Sequence, residues 1–133
     1  MQINIFSIVN VRFPYYDSSS RGIKFKKRPA LVLNKENDSY SSDLTVFPVS
    51  SVTHKENLNP KYDIEVKKAV YPALNLDRDV SYIRVHKPYT VNSKDCTDVI
   101  CDDIRIHYED LAMFILKTFE DFSRIIIDSG MDM

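Results

Sequence analysis

The chain has 133 residues, 44% of them hydrophobic, with 18 Lys and Arg against 19 Asp and Glu. That suits a single domain over residues 1–133 with one core; no apolar run approaches the roughly eighteen residues of a membrane span, and Met1–Phe6 lacks the basic region and cleavage site of a secretion signal, so a cytoplasmic protein is expected. The net charge of −1 hides an asymmetry: residues 1–94 hold fifteen Lys/Arg and nine Asp/Glu, a balance of +6, and residues 95–133 hold three and ten, a balance of −7.

A first strand is predicted over Phe6–Phe13, with Pro14 ending it. Tyr15–Lys27 then reads as a polar loop. Lys27-Arg28-Pro29 leads from it into Ala30-Leu31-Val32-Leu33, a continuous apolar run of the kind found in strands buried on both faces. Arginine is always charged and presents a rigid fork of donors suited to phosphate. Pro29 fixes its own φ and biases Arg28 towards an extended backbone. The pair therefore holds a cation where a loop meets a buried strand, a common setting for binding sites.

Lys35–Asp43 is turn-like, and Leu44–Phe47 is a third strand ending at Pro48. A polar loop, Thr53–Lys61, precedes a short strand at Tyr62–Val66. Leu74–Asp79 is again turn-like. Ser81–His86 alternates, placing Tyr82, Arg84 and His86 on one face and Ile83 with Val85 on the other. Tyr89–Val91 continues after Pro88 as an edge strand. From Tyr108 the period changes: Leu111, Phe114, Ile115, Phe119, Phe122 and Ile126 recur at helical spacing. Glu109 and Asp110 sit at its start, where the helix dipole favours them, and Gly130 is a stop signal. Strands first and a helix last indicate a mainly β fold, a small antiparallel barrel or sheet capped by a C-terminal helix. Cys96 and Cys101 have no second cysteine pair or His-rich surroundings, so no zinc site is expected and both are read as inert thiols.

Four blocks, in order, resemble the MazF/PemK family of toxin ribonucleases: Val9–Pro14, Lys27–Leu33, Val46–Ser51, and Ser81–Arg84 with Pro88 and Thr90-Val91. The likeness spans roughly residues 6–125. It implies an SH3-like β-barrel, shared with the gyrase poison CcdB and usually found as a homodimer. It implies metal-independent cleavage of single-stranded RNA with no cofactor, and inhibition by a cognate antitoxin. On this chemistry the ribose 2′-hydroxyl attacks phosphorus and leaves a 2′,3′-cyclic phosphate and a 5′-hydroxyl. A base, an acid and a cation on the non-bridging oxygens are needed.

Arg28 falls on the family's catalytic arginine; its plainer role is a pair with Asp17 or Glu36. Ser50 falls on the catalytic Thr/Ser, or else caps the turn after Pro48. His86 stands where some members carry a carboxylate and titrates near neutrality, so it is a candidate base or acid; alternatively it is a solvated strand histidine. Arg21, Lys24, Lys26 and Lys27, with Ser51 and Arg84, are the RNA-binding candidates, through salt-sensitive backbone contacts. Arg84 is equally readable as a structural ion pair. Tyr15 and Tyr16 are candidates for base stacking or for surface and dimer contacts. His54 and His107 have no motif support, and His107 reads as structural. The family's acidic residue in the first long loop has only Asp17 to answer for it here. The competing functions are a CcdB-like gyrase poison and a non-catalytic RNA-binding module on the same barrel.

Overall fold

A computed structural model describes residues 1–51 and 54–132. Thr53, where the polar loop before Tyr62 begins, lies outside the described residues. Seven strands, β1 (Ile8–Asp17), β2 (Gly22–Lys35), β3 (Asp43–Ser50), β4 (Asp63–Lys67), β5 (Val80–Arg84), β6 (Tyr89–Asn92) and β7 (Cys96–Cys101), precede a short helix α1 (Ile104–His107) and a long helix α2 (Glu109–Met131). The strands form one antiparallel sheet in the order β4-β5-β3-β2-β1-β7, with β6 also against β3. It curls into a half-barrel carrying a C-terminal helix, the mainly β, helix-capped fold expected of the sequence.

The central strands are buried on both faces, which is why Ala30-Leu31-Val32 is unbroken by a polar residue. Ile8, Leu31 and Phe47 point to one side, where Leu111, Ala112 and Ile115 of α2 cover them. Val9, Val11, Ala30, Val32 and Val46 point to the other, which Ile3 and Cys96 close. Two aromatic pairs fasten the helix: Phe119 on Phe47 at 5.2 Å and Phe122 on Tyr62 at 5.2 Å between ring centroids. From residue 124 onward the helix is exposed.

The sheet departs from the sequence expectations at two prolines. β1 does not stop at Pro14, and Tyr15–Lys27 is not a loop. β1 and β2 pair continuously from Ile8↔Leu31 to Asp17↔Gly22, so residues 18–21 alone make the turn. Pro14 is tolerated because β7 accompanies β1 only as far as Val11, leaving Pro14 on an edge where its missing N–H breaks no ladder. β3 likewise runs through Pro48. Its outer edge pairs with β6 up to Val46 and with β5 from Val49, so Pro48 falls in the gap between two partners. Strand β7 and helix α1 carry no period-2 or helical pattern long enough to announce them, and Gly130 lies inside the last turn of α2 rather than ending it.

The candidate active-site clefts

The β1–β2 ribbon projects beyond the sheet and carries most of the basic candidates. Directly opposed residues share a face, so Arg28, Lys26 and Lys24 line up with Val11, Phe13 and Tyr15. The turn is built by Asp17, whose carboxylate accepts from the Ser19 N–H and from the hydroxyls of Ser19 and Ser20. Lys24 Nζ lies 3.0 Å from the same carboxylate. That contact, with the serine hydroxyls, brings the Asp17 pKa down to about 2. Arg21 takes the left-handed conformation at φ 55° to close the turn. Lys26 sits over the Tyr15 ring at 5.2 Å, and Lys27 is 3.9 Å from Asp98. Tyr16 is exposed on the opposite face.

Arg28 stands where this ribbon enters the core, opposite Val11 and two residues before the fully buried Ala30. Its side chain is exposed. Among the described residues no carboxylate pairs with it: Asp17 is held by Lys24, and Glu36 makes no ion pair. Ser50 ends β3 opposite Tyr82 of β5 and is half-buried.

Three clefts meet at Ser50. The first, of 320 Å³, is partly aromatic and runs between Phe13, Tyr15 and Tyr89 with Lys26 and Arg28 on its rim. The second, of 570 Å³, is polar and carries Lys26, Lys27, Arg28, Ser51 and Arg78. The third, of 710 Å³, is open and carries Ser51, His54, Glu56, Arg84 and His86. Arg28 borders the first two and Ser50 borders all three. Arg28 and His86 share no cleft; Ser50 and Ser51 are the link between their surroundings. Arg21 and Lys24 lie further along the ribbon, outside all three.

Arg84 is held by a buried carboxylate. Its Nε donates to Asp63 Oδ1 at 2.9 Å and its Nη2 to Asp63 Oδ2 at 3.3 Å and to the Asn57 carbonyl at 2.9 Å. The Asp63 side chain is only 1% exposed. Its Oδ2 also accepts from the Asn59 N–H at 2.7 Å.

His86 lies in the turn just after β5, on the same side as Arg84. Its Nδ1 is 3.8 Å from Asp63 Oδ1, too far for a hydrogen bond. This nitrogen is buried with no hydrogen-bond partner. Burial pushes the imidazole pKa below its ordinary value, and the charges of Arg84 and Lys87 add to this, against the opposing pull of Asp63. The ring rests near Tyr62 and Phe122. Burial therefore favours the neutral form of the ring.

Arg78, Tyr89 and Lys87 line these clefts without having been singled out by pattern. Arg78 lies between two aspartates in an irregular loop, so no motif marks it. His107 bonds Asp102 at 2.8 Å, as a structural histidine would. Ligand atoms of Cys101, Asp102 and His107 lie within 4.8 Å of one another. The Cys101 thiol is pushed up to about 11, by burial foremost and then by Asp102, which opposes the thiolate a metal needs. Cys96 and Cys101 are both free and buried. No helix of the described residues is long and apolar enough to cross a membrane.

The family model described as PemK-like, MazF-like toxin of type II toxin–antitoxin system matches residues 5–110. No curated protein matches the chain.

Proposed function

The chain belongs to the PemK-like, MazF-like toxin family of type II toxin–antitoxin systems, and from that membership we propose that it is an endoribonuclease cutting single-stranded RNA, mRNA above all, without a metal. The observation that carries this reading is the exposed guanidinium of Arg28, unpaired among the described residues, on the rim between two clefts that both contain Ser50.

Arg28 clamps the non-bridging oxygens of the scissile phosphate and stabilises the charge that builds as the 2′-oxygen closes on phosphorus. Ser50 donates its hydroxyl to the same phosphate from the floor of the clefts. His86, held neutral by burial, is the proton acceptor for the 2′-hydroxyl, reached from the cleft it shares with Ser50 and Ser51. The 5′-oxygen leaves with a proton drawn from solvent water in the open cleft, so the products are a 2′,3′-cyclic phosphate and a 5′-hydroxyl. Lys26 and Lys27 hold the flanking backbone, with Arg84 on the wall of the open cleft. Arg21 and Lys24 extend this basic track along the ribbon.

A cognate antitoxin that lays an acidic segment across the same clefts excludes RNA. A second copy of the chain packs against the exposed apolar side of α2, making a cytoplasmic homodimer. The test is incubation of the purified protein with single-stranded RNA in excess EDTA, followed by mapping of the fragment ends. Cyclic-phosphate ends that vanish in Arg28→Ala support the ribonuclease. Intact RNA with inhibited supercoiling supports a gyrase poison, and salt-sensitive binding without cleavage supports a non-catalytic module.

A further inference from the structure

We propose that Arg78 binds a backbone phosphate next to the one held by Arg28, so that the polar cleft takes a run of RNA rather than a single linkage; this rests on the ribonuclease reading. Arg28 and Lys27 stand on the β2 wall of that cleft, and Arg78 stands on another wall, in the loop between Leu74 and β5. Some cations near the site are already paired: Lys24 with Asp17, Lys27 with Asp98, Arg84 with Asp63. Arg78, like Arg28, makes no ion pair among the described residues. Two unpaired guanidinium groups on different walls of one polar cleft give it a positive potential in the empty protein, which a polyanion spanning the cleft neutralises.

The loop that carries Arg78 is pinned on both sides, so its position is set before RNA arrives. Leu74 and Leu76 are buried at 1% and 6% exposure. Asn75 adopts the left-handed conformation at φ 58°, and its Nδ2 donates to the Ile100 carbonyl at 2.6 Å. The Lys68 N–H donates to the Asp79 carbonyl at 2.9 Å, tying down the far end. Arg78 itself is exposed. The anchors are side chains and backbone other than its own, so the fold does not depend on it. Asp77, which borders the same cleft, opposes an anion there and gives the proposal a control of opposite sign.

The experiment measures binding of a mixed-sequence 2′-O-methyl oligoribonucleotide, which has no free 2′-hydroxyl and stays intact, across a salt series. Arg78→Ala is expected to weaken binding roughly five- to tenfold for all sequences and to reduce the log–log salt slope by about 0.7, the share of one phosphate on a single strand. Arg78→Lys restores most of both, and Asp77→Asn tightens binding. Unchanged affinity and slope in Arg78→Ala, with wild-type binding intact, overturns this role and leaves the ribonuclease reading standing. Weakening in Asp77→Asn overturns it too, since a loop disturbance would then explain both variants. A wild-type protein that neither binds nor cuts RNA removes both readings together.

Discussion

Arg84 grips Asp63 through two nitrogens, at 2.9 and 3.3 Å, around a carboxylate that is almost wholly withdrawn from water. The pair ties β5 to β4 across Asp63↔Arg84 in the sheet register. Its guanidinium also caps the Asn57 carbonyl, so one side chain fixes the wall of the open cleft.

Arg84→Met follows from this arrangement. It keeps the apolar stem and removes the charge, leaving the Asp63 carboxylate buried with only an N–H partner. Removing one member of a buried pair costs about 3–5 kcal/mol. Urea denaturation should show a loss of that order, and a change under about 1 kcal/mol would mean that water reaches Asp63 and the pair is a surface one. Any loss of RNA cleavage in this variant has to be read against its loss of stability.

His86 gives a pH dependence of defined sign. Its folded pKa is below the ordinary 6.5 because burial disfavours the imidazolium. Above about 6.5 the ring is neutral in both folded and unfolded chains and contributes no slope. As pH falls from there through the folded pKa, the unfolded chain binds the proton first, so stability falls. A two-dimensional NMR titration should place the His86 midpoint below the ordinary 6.5. Cleavage by the wild type should rise through the same midpoint and then level off, if the neutral ring takes the 2′ proton. A rate that is flat from pH 5 to 8 would exclude that role.

Much of this was legible in the residues. The Ala30–Leu33 run, the alternation of Ser81–His86 and the helical spacing from Leu111 each reflect a buried face with a regular period. The alternation also brings Arg84 and His86 together beside Asp63. The ribbon was not legible, because both of its faces are wet: residues 15–27 need no apolar period, and Pro14 reads as a break unless the edge position is known. Pro48 misleads for the same reason, its gap between β5 and β6 being a property of the assembled sheet. Arg28 and Ser50 were marked by their blocks. That they share two clefts, and that Arg78 borders one of these, depends on how β2, the end of β3 and the loop before β5 converge.

The end of α2 is predicted to be dispensable for folding. Ile115, Phe119 and Phe122 fasten the helix, whereas Ile125, Ile126 and Ile127 are 46%, 58% and 50% exposed. Truncation after Ser123 removes no buried side chain among the described residues, so the unfolding free energy should change by no more than about 0.5 kcal/mol. Exposed isoleucines in a cluster are a poor surface for an isolated chain and a good one for self-association. Light scattering should therefore show the full chain as a dimer and the truncated chain as a monomer. Dimers in both would place the contact elsewhere, with the first strands the next face to examine.

Arg28→Lys separates charge from shape at the proposed catalytic centre. Lysine keeps the positive charge but replaces the planar fork with a single mobile ammonium, which cannot hold two phosphoryl oxygens at once. Because Arg28 is exposed and unpaired among the described residues, neither Arg28→Lys nor Arg28→Ala should alter stability by more than about 0.5 kcal/mol. Their effects on cleavage therefore do not arise from loss of folding. Arg28→Ala should lose about 10²–10³ in single-turnover cleavage, the usual consequence of deleting one donor from such a site. Arg28→Lys should fall between that variant and the wild type while binding uncleavable RNA as tightly as the wild type, since one charge serves ground-state attraction as well as another. If lysine restored the full rate, the fork would be irrelevant and position 28 would contribute only to RNA attraction. If alanine cut as fast as the wild type, the phosphate would have to be held elsewhere in the clefts around Ser50.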